Sequence, residues 1–274
     1  MFSFKKLLEE KKRPLVMGIL NITPDSFSDG GEAFSLSGAL GRLRCLENEG
    51  ADIIDIGACS TAPMNELASC EEEIKRLSFL PELVNATDVP FSIDTFRPEV
   101  AEYALSCGVK IVNDESGSFS EEMARVVKAR NAGWIFMHTG GKSSREVREY
   151  PDGVINHVLE YFEECKNKAI AFGICPDSLF FDFGIGFGKS RKDDLTLISE
   201  CEKITARYPL LVGVSRKRII GEIVGEAIPE NRVTGSVAAA ALVACKGARI
   251  LRVHDVKETV DAMKVVDAVM KGYI

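Results

Sequence analysis

The 274-residue sequence has eight cysteines but no C-x-x-C pair, and no histidine placed to complete a zinc-finger spacing. A structural zinc site and a dithiol redox centre are therefore not expected, and most of the thiols, lying in apolar helix-like contexts, read as packed and reduced. Positive charge is not in excess: the formal net charge is −7. That argues against a globally basic nucleic-acid-binding face and leaves any anionic ligand to locally placed Lys and Arg. No apolar run approaches the roughly 18 residues that cross a bilayer. Val237–Cys245 is short and Ala-rich and reads as a buried helix. The opening Met1-Phe2-Ser3-Phe4-Lys5-Lys6 lacks the apolar core of a signal peptide. A cytoplasmic location, with neither nucleic-acid nor membrane partner, is expected. With 10 prolines against 23 glycines, no Ser/Pro-rich linker and no solenoid repeat, the expectation is one domain over residues 1–274, its residues 1–14 a solvated N-terminal arm.

What the sequence does contain is alternation. Short apolar, β-branched runs at 15–22, 52–57, 91–94, 111–113, 134–138, 179–183, 210–215 and 250–254 are separated by longer amphipathic stretches. The latter predict helices near 36–48, 69–85, 97–107, 120–131, 153–171, 193–206, 231–245 and 257–271. Strands apolar on both faces and alternating with helices imply a parallel sheet under helical cover. Eight such units over about 250 residues favour closure into a (β/α)₈ TIM barrel over an open doubly wound sheet.

The strand ends carry the chemistry. They terminate in Asn21, Ser60-Thr61, Asp94-Thr95, Asn113-Asp114, Met137-His138, Asp182, Ser215-Arg216-Lys217 and Arg252-Val253-His254-Asp255. A single Asp or Asn after a strand is commonly a helix cap. A whole series of polar terminations converging on one barrel mouth instead predicts an active site. Phe183-Gly184-Ile185-Gly186-Phe187-Gly188-Lys189-Ser190 resembles two nucleotide-binding loops but fails the spacing of both. Its glycines are better suited to close backbone approach to a flat ligand, with Phe187 as an apolar wall. Asp94, Asn113 and Asp182 offer acceptors and an amide to a heterocycle with an amidine-like edge, with a divalent cation as the rival ligand. The cations around Ser215 and Arg252 lie at strand ends seven and eight, where barrels often bind phosphate. Of the three histidines, His157 falls on a predicted helix, so His138 and His254 are the functional candidates.

The run Met17-Gly-Ile-Leu-Asn-Ile-Thr-Pro-Asp-Ser-Phe-Ser-Asp-Gly-Gly31 resembles the opening signature of the dihydropteroate synthases. Ile93–Phe96, Val112–Gly117, Asp182–Lys189, Gly213–Lys217 and Arg252–His254 are similar to later segments of the same family, in order, from about residue 15 to 270. The resemblance implies a folate-pathway transferase that condenses 7,8-dihydropterin-6-ylmethyl diphosphate with p-aminobenzoate in an SN1-like substitution, releasing pyrophosphate. It implies that Asp94, Asn113, Asp182 and Lys217 hydrogen-bond the pterin, with Met137, Phe187 and Arg252 against the ring. Asn21, Arg252 and His254 would hold the diphosphate, Asn21 through Mg²⁺. Phe27, Thr61, Pro63, Phe187, Ser215 and Lys217 would line the p-aminobenzoate side. Lys217, Asp94, Arg252 and His254 are the expected catalytic set. The family also implies a homodimer and a sulfonamide target.

Four departures stand out. The second loop runs Cys59-Ser-Thr-Ala-Pro-Met64 where Glu-Ser-Thr-Arg-Pro-Gly is usual, so Ala62 replaces a cation. Met137-His-Thr-Gly-Gly141 and Phe183 also differ from the pattern, and Glu115 stands where an apolar residue is expected beside the ring. The departures at Ala62 and Glu115 motivate a second hypothesis, a pterin-binding paralogue with lost or altered synthase activity. A third is a methyltetrahydrofolate-binding methyltransferase domain, which would have no diphosphate to hold.

Overall fold

In the computed structural model, which describes residues 2–22, 35–59, 68–141 and 147–272, the apolar runs form eight strands. These are β1 (Leu15–Asn21), β2 (Ile53–Gly57), β3 (Phe91–Asp94), β4 (Ile111–Asp114), β5 (Gly133–Met137), β6 (Leu179–Asp182), β7 (Leu210–Val212) and β8 (Ile250–Val253). All neighbours are parallel and follow chain order, and β8 pairs back onto β1, so the sheet closes into the expected (β/α)₈ barrel.

The covering helices are α1 (Phe4–Lys11), α2 (Leu36–Glu49), α3 (Cys70–Arg76), α4 (Leu80–Asn85), α5 (Pro98–Ser106) and α6 (Glu121–Arg130). They continue as α7 (Val154–Phe172), α8 (Arg191–Ser199), α9 (Glu202–Thr205), α10 (Arg218–Val224), α11 (Val233–Cys245) and α12 (Val256–Lys271). The helix expected over 69–85 is two, because Pro81 lacks an N–H and its ring cannot follow a helical turn, so α4 starts afresh around it. The helix expected over 193–206 is likewise divided, and α10 is an additional short element.

The N-terminal arm is not simply solvated. Ser3 caps α1 by accepting from the Lys6 backbone N–H, and Phe4 is buried against Phe180, with ring centroids 4.4 Å apart. Phe4 stops the bottom of the barrel, so α1 acts as a plug. Arg13 then fixes the arm to the wall through its ion pair with buried Asp52, 2.6 Å long.

Strand residues alternate between barrel interior and helix layer. Leu15, Met17, Ile53, Ile111, Ile135, Phe180, Leu211 and Ile250 fill the lower interior. The residues two positions further along belong to the same inward set, and there the interior turns polar: Asp55, Asn113, Met137, Asp182, Gly213 and Arg252. The opposite set, including Val112, Trp134, Phe136 and Phe181, packs under the helices. Asp114 and His138 follow that outward set. Asp114 accepts from the Trp134 indole N–H at 3.1 Å and from the Ser116 backbone at 2.9 Å, while burial pushes its carboxyl up to about 6. His138 pairs with His157 of α7, ring nitrogen to ring nitrogen at 2.9 Å. This corrects the expectation that His138 serves the mouth: its ring lies behind the barrel wall, where burial, with Lys189 and His157 nearby, lowers its pKa to about 2.

The neutral His138 has a consequence for stability. In the unfolded chain a histidine takes up its proton near pH 6.5, whereas in the fold this one stays neutral far below that. The unfolded state therefore binds more protons below pH 6.5, and stability falls as pH drops, by up to about 1.4 kcal/mol per pH unit for this group. Thermal unfolding between pH 7 and 5 should show a steeper loss in the wild type than in His138→Gln. Equal slopes would mean His138 is charged in the fold.

Candidate active site

The polar layer is organised by Arg252. From β8 its guanidinium reaches past β1 to donate through Nε to Asp55 Oδ2 at 2.6 Å and through Nη2 to Asp94 Oδ2 at 2.5 Å. Asn113 closes the group, with Nδ2 3.2 Å from Asp55 Oδ2 and 3.5 Å from Asp94 Oδ1. Burial alone would lower the pKa of Arg252, but the Asp94 and Asp55 carboxylates more than reverse this. The cation is thus fixed and permanently charged beneath the mouth. Asp55 was not among the sequence candidates. The signal was its place in an apolar strand, at the inward parity of Ile53, and it is fully buried.

Glu115 follows β4 at the inward parity of Ile111 and Asn113, and its carboxyl lies in the field of Asp94, Asp55 and Arg252. Burial raises the pKa of both carboxyls, each also lying in the field of Asp55, while Arg252 opposes the shift. Glu115, the departure expected beside the ring, therefore lies at the site, in the field of Arg252 and Lys217.

Across the barrel, Asp182 Oδ1 accepts the Gly184 N–H at 2.7 Å. Its pKa is raised by burial against the lowering pull of Lys217. Lys217, the residue just before α10, donates to the Ile185 carbonyl, and its Nζ lies 4.8 Å from the centre of the Phe187 ring. Burial lowers the pKa of Lys217, and Asp182 opposes that shift. The glycine-rich loop beneath is built on close contacts. Gly184 has φ +63°, and a Cβ there would sit 2.1 Å from the His138 carbonyl oxygen. Lys189 locks the loop from behind, donating to the carbonyls of His138 (3.1 Å), Gly184 (2.8 Å) and Phe187 (3.2 Å). Its burial lowers its pKa to about 7. The Gly-Lys-Ser run that resembles a phosphate loop is therefore a scaffold, with its lysine turned to protein carbonyls.

At the rim, Ser215 Oγ accepts the His254 backbone N–H and lies 3.2 Å from His254 Nδ1. Burial, reinforced by Arg252, lowers the His254 pKa to about 4, so the ring is a neutral donor at pH 7. Arg216 turns away, with φ +58°, to form a two-pronged pair with Asp255. Arg218 pairs with Glu222 at the surface. Only Lys217 of that cationic run enters the site. Asn21 ends β1 exposed, and a Cβ on Gly57 would lie 3.7 Å from both Asn21 Oδ1 and Asp94 Oδ2.

Asp94, Asn113, Met137, Asp182, Lys217 and Arg252 therefore share one floor, with Asn21, Phe187, Ser215 and His254 around it. Phe27, Thr61, Ala62 and Pro63 lie outside the described residues. Two arginines hold the described ends of that second loop: Arg76 donates to the Ala58 carbonyl at 2.9 Å and Arg97 to that of Ala68 at 2.6 Å. A floor of carboxyls and an amide suits a flat heterocycle rich in N–H donors, and the neighbouring cation and imidazole suit an anionic substituent on it. None of the described floor or rim side chains is set up as a strong base.

Comparison with known proteins agrees with this chemistry. The family described as pterin binding enzyme matches residues 17–254. A dihydropteroate synthase from Synechocystis sp. is 40% identical over 270 residues, spanning 97% of this chain and 93% of the relative. Among solved structures, the dihydropteroate synthase of Xanthomonas albilineans with 4-aminobenzoic acid has a TM-score of 0.88 at 41% identity, covering 94% of this chain and 93% of that one. The same enzyme in complex with 7,8-dihydropteroate has a TM-score of 0.83 at 40% identity, covering 94% of each chain.

Proposed function

The chain belongs to the pterin-binding enzyme family, among the dihydropteroate synthases, and we propose that its barrel mouth joins 7,8-dihydropterin-6-ylmethyl diphosphate to p-aminobenzoate. The observation that carries this is the Arg252-centred floor, where Asp94, Asn113 and Asp182 stand together as partners for ring N–H groups. The C–O bond between the pterin methylene and the diphosphate breaks, and the arylamine nitrogen bonds to that methylene carbon. Pyrophosphate leaves with the bonding electrons, and the amine proton passes to solvent or to the departing oxyanion. An arylamine needs no strong base to act as nucleophile, which fits a neutral His254. Positive charge developing on the methylene is stabilised by the surrounding carboxyls, which supports an SN1-like course. Phe187, Ser215 and Lys217 flank the side from which p-aminobenzoate approaches, with Phe27, Thr61 and Pro63 assigned there by the family pattern.

Arg252 and His254 face the diphosphate, and Asn21 is assigned to Mg²⁺. The fit is chemical: an exposed amide oxygen at a strand end is a hard donor for an ion that takes most of its remaining oxygens from phosphate and water. Bound there, the ion would neutralise charge on the leaving diphosphate. The alternative of a methyltetrahydrofolate-binding domain is disfavoured by the placing of Arg252 and His254 side by side at the mouth, since such a ligand has no diphosphate for them to hold.

All eight cysteines are free thiols, in keeping with a cytoplasmic enzyme, and no described helix is long and apolar enough to cross a membrane. We assign a homodimer to the face on which Leu195, Ile223, Leu242, Val265 and Val269 are exposed, because α8, α10, α11 and α12 are neighbours there. Sedimentation at micromolar concentration should give two protomers per particle, and a monomer would refute that assignment.

The function is tested by pyrophosphate release from the pterin diphosphate and p-aminobenzoate. Turnover should need Mg²⁺, stop with EDTA, and fall at least about 100-fold in Lys217→Ala, the loss of roughly 3 kcal/mol of charge-assisted contact. Tight pterin binding without turnover would point instead to a paralogue that has lost the synthase reaction.

A further inference from the structure

The proposed reaction uses Ser215 and Lys217 but gives no role to Arg216 between them. The backbone of Arg216 is unusual. Among the described residues, three other than glycine have a positive φ: Lys12, Asn131 and Arg216. Lys12 and Asn131 close α1 and α6 as left-handed caps, an ordinary way for a helix to end. Arg216, at φ +58°, ends no helix. It is the third residue of a turn over 214–217, closed by the Lys217 N–H to the Val214 carbonyl at 3.3 Å. A positive φ at that place calls for glycine or asparagine. An arginine stays there only if its surroundings impose the conformation.

They do so from three sides. The Arg216 N–H donates to Ser236 Oγ at 2.8 Å, and its carbonyl accepts from Arg232 Nη1 at 2.8 Å. Its guanidinium makes the two-pronged pair with Asp255, Nε to Oδ2 at 3.0 Å and Nη2 to Oδ1. Asp255 gives up a local role for this. It stands at the N-cap of α12, where a carboxylate commonly accepts a first-turn N–H, but its side chain makes no such bond. The pair also prolongs the β7–β8 register. Leu211 lies opposite Ile250 and Val212 opposite Leu251. At the same offset of 39 residues, Ser215 meets His254 and Arg216 meets Asp255, side chain to side chain, beyond the last backbone pairing.

Resting on the synthase reading above, we infer that Arg216 is a positioning residue: pinned by Asp255, Ser236 and Arg232, it imposes the left-handed turn that carries Ser215 and Lys217 to the p-aminobenzoate side. The turn keeps Ser215 Oγ 3.2 Å from His254 Nδ1 and the Lys217 ammonium 4.8 Å from the centre of the Phe187 ring. An ordinary φ at residue 216 redirects the chain just before Lys217 and separates these groups. The guanidinium itself stays outside the site, its charge met by Asp255.

Kinetics of pyrophosphate release by the full chain, with p-aminobenzoate varied at saturating pterin diphosphate, test this, with thermal unfolding alongside. Arg216→Ala and Arg216→Gly both remove the guanidinium, but only glycine takes the left-handed turn without penalty. KM for p-aminobenzoate should rise at least about fivefold in Arg216→Ala and in Asp255→Asn, and stay within about twofold of wild type in Arg216→Gly. A merely structural role would not move KM, because unfolding subtracts active enzyme and lowers kcat alone. Asp255→Asn keeps the shape of the side chain and carries the test if Arg216→Ala does not fold. Equal KM values in the alanine and glycine variants overturn the inference, and so does a wild-type KM in folded Asp255→Asn. A wild-type protein without turnover removes the synthase reading itself, and the inference with it.

Discussion

The site depends on one partly buried guanidinium being shared by two carboxylates. Arg252 stands over an apolar barrel core, where an unpaired charge would be costly, and Asp55 and Asp94 compensate it from the far side of β1. The arrangement fixes more than the arginine. Because Asp55 and Asp94 are held by it, Asn113 has two acceptors to settle between, and the floor keeps its shape before any ligand arrives. The same pairing leaves Arg252 a permanent cation next to the place where a diphosphate must be held and released.

Strand parity decides which polar residues join that floor. In a closed barrel of parallel strands, a shift of one residue moves a side chain from the mouth to the helix layer. Asp94, Asn113, Asp182 and Arg252 were legible from their positions at strand ends. His138 looked equivalent to His254 in sequence, yet it lies one step out of phase and is spent on His157. Asp55 was overlooked for the opposite reason: it lies inside a strand and not at its end, and only the phase of Ile53 shows that it faces inward. Glu115 could not be oriented because it falls just beyond β4, where a loop need not keep the alternation.

The fold was legible to within a residue or two at most strands, since parallel strands are apolar on both faces and helices are amphipathic. What escaped were features set by tertiary contact. α1 has a polar exterior and reads as an arm; its place is fixed by Phe4 meeting Phe180 at the barrel bottom. Lys189 sits in a glycine-rich run that suggests phosphate, but three carbonyls converge on its ammonium. Propensity and spacing do not carry that information, whereas the need to satisfy buried carbonyls does.

If the Arg252 clamp governs the site, a substitution that keeps the shape of Asp55 and removes only its charge should be felt in catalysis. Asp55 has no place in the list of groups that touch substrate, so its effect passes through Arg252. The direct measurement is kcat/KM of Asp55→Asn in the pyrophosphate-release assay, with thermal unfolding alongside. The clamp predicts a loss of roughly 30- to 150-fold, about 2–3 kcal/mol, in a protein that still folds. A folded Asp55→Asn enzyme with wild-type kcat/KM would contradict it.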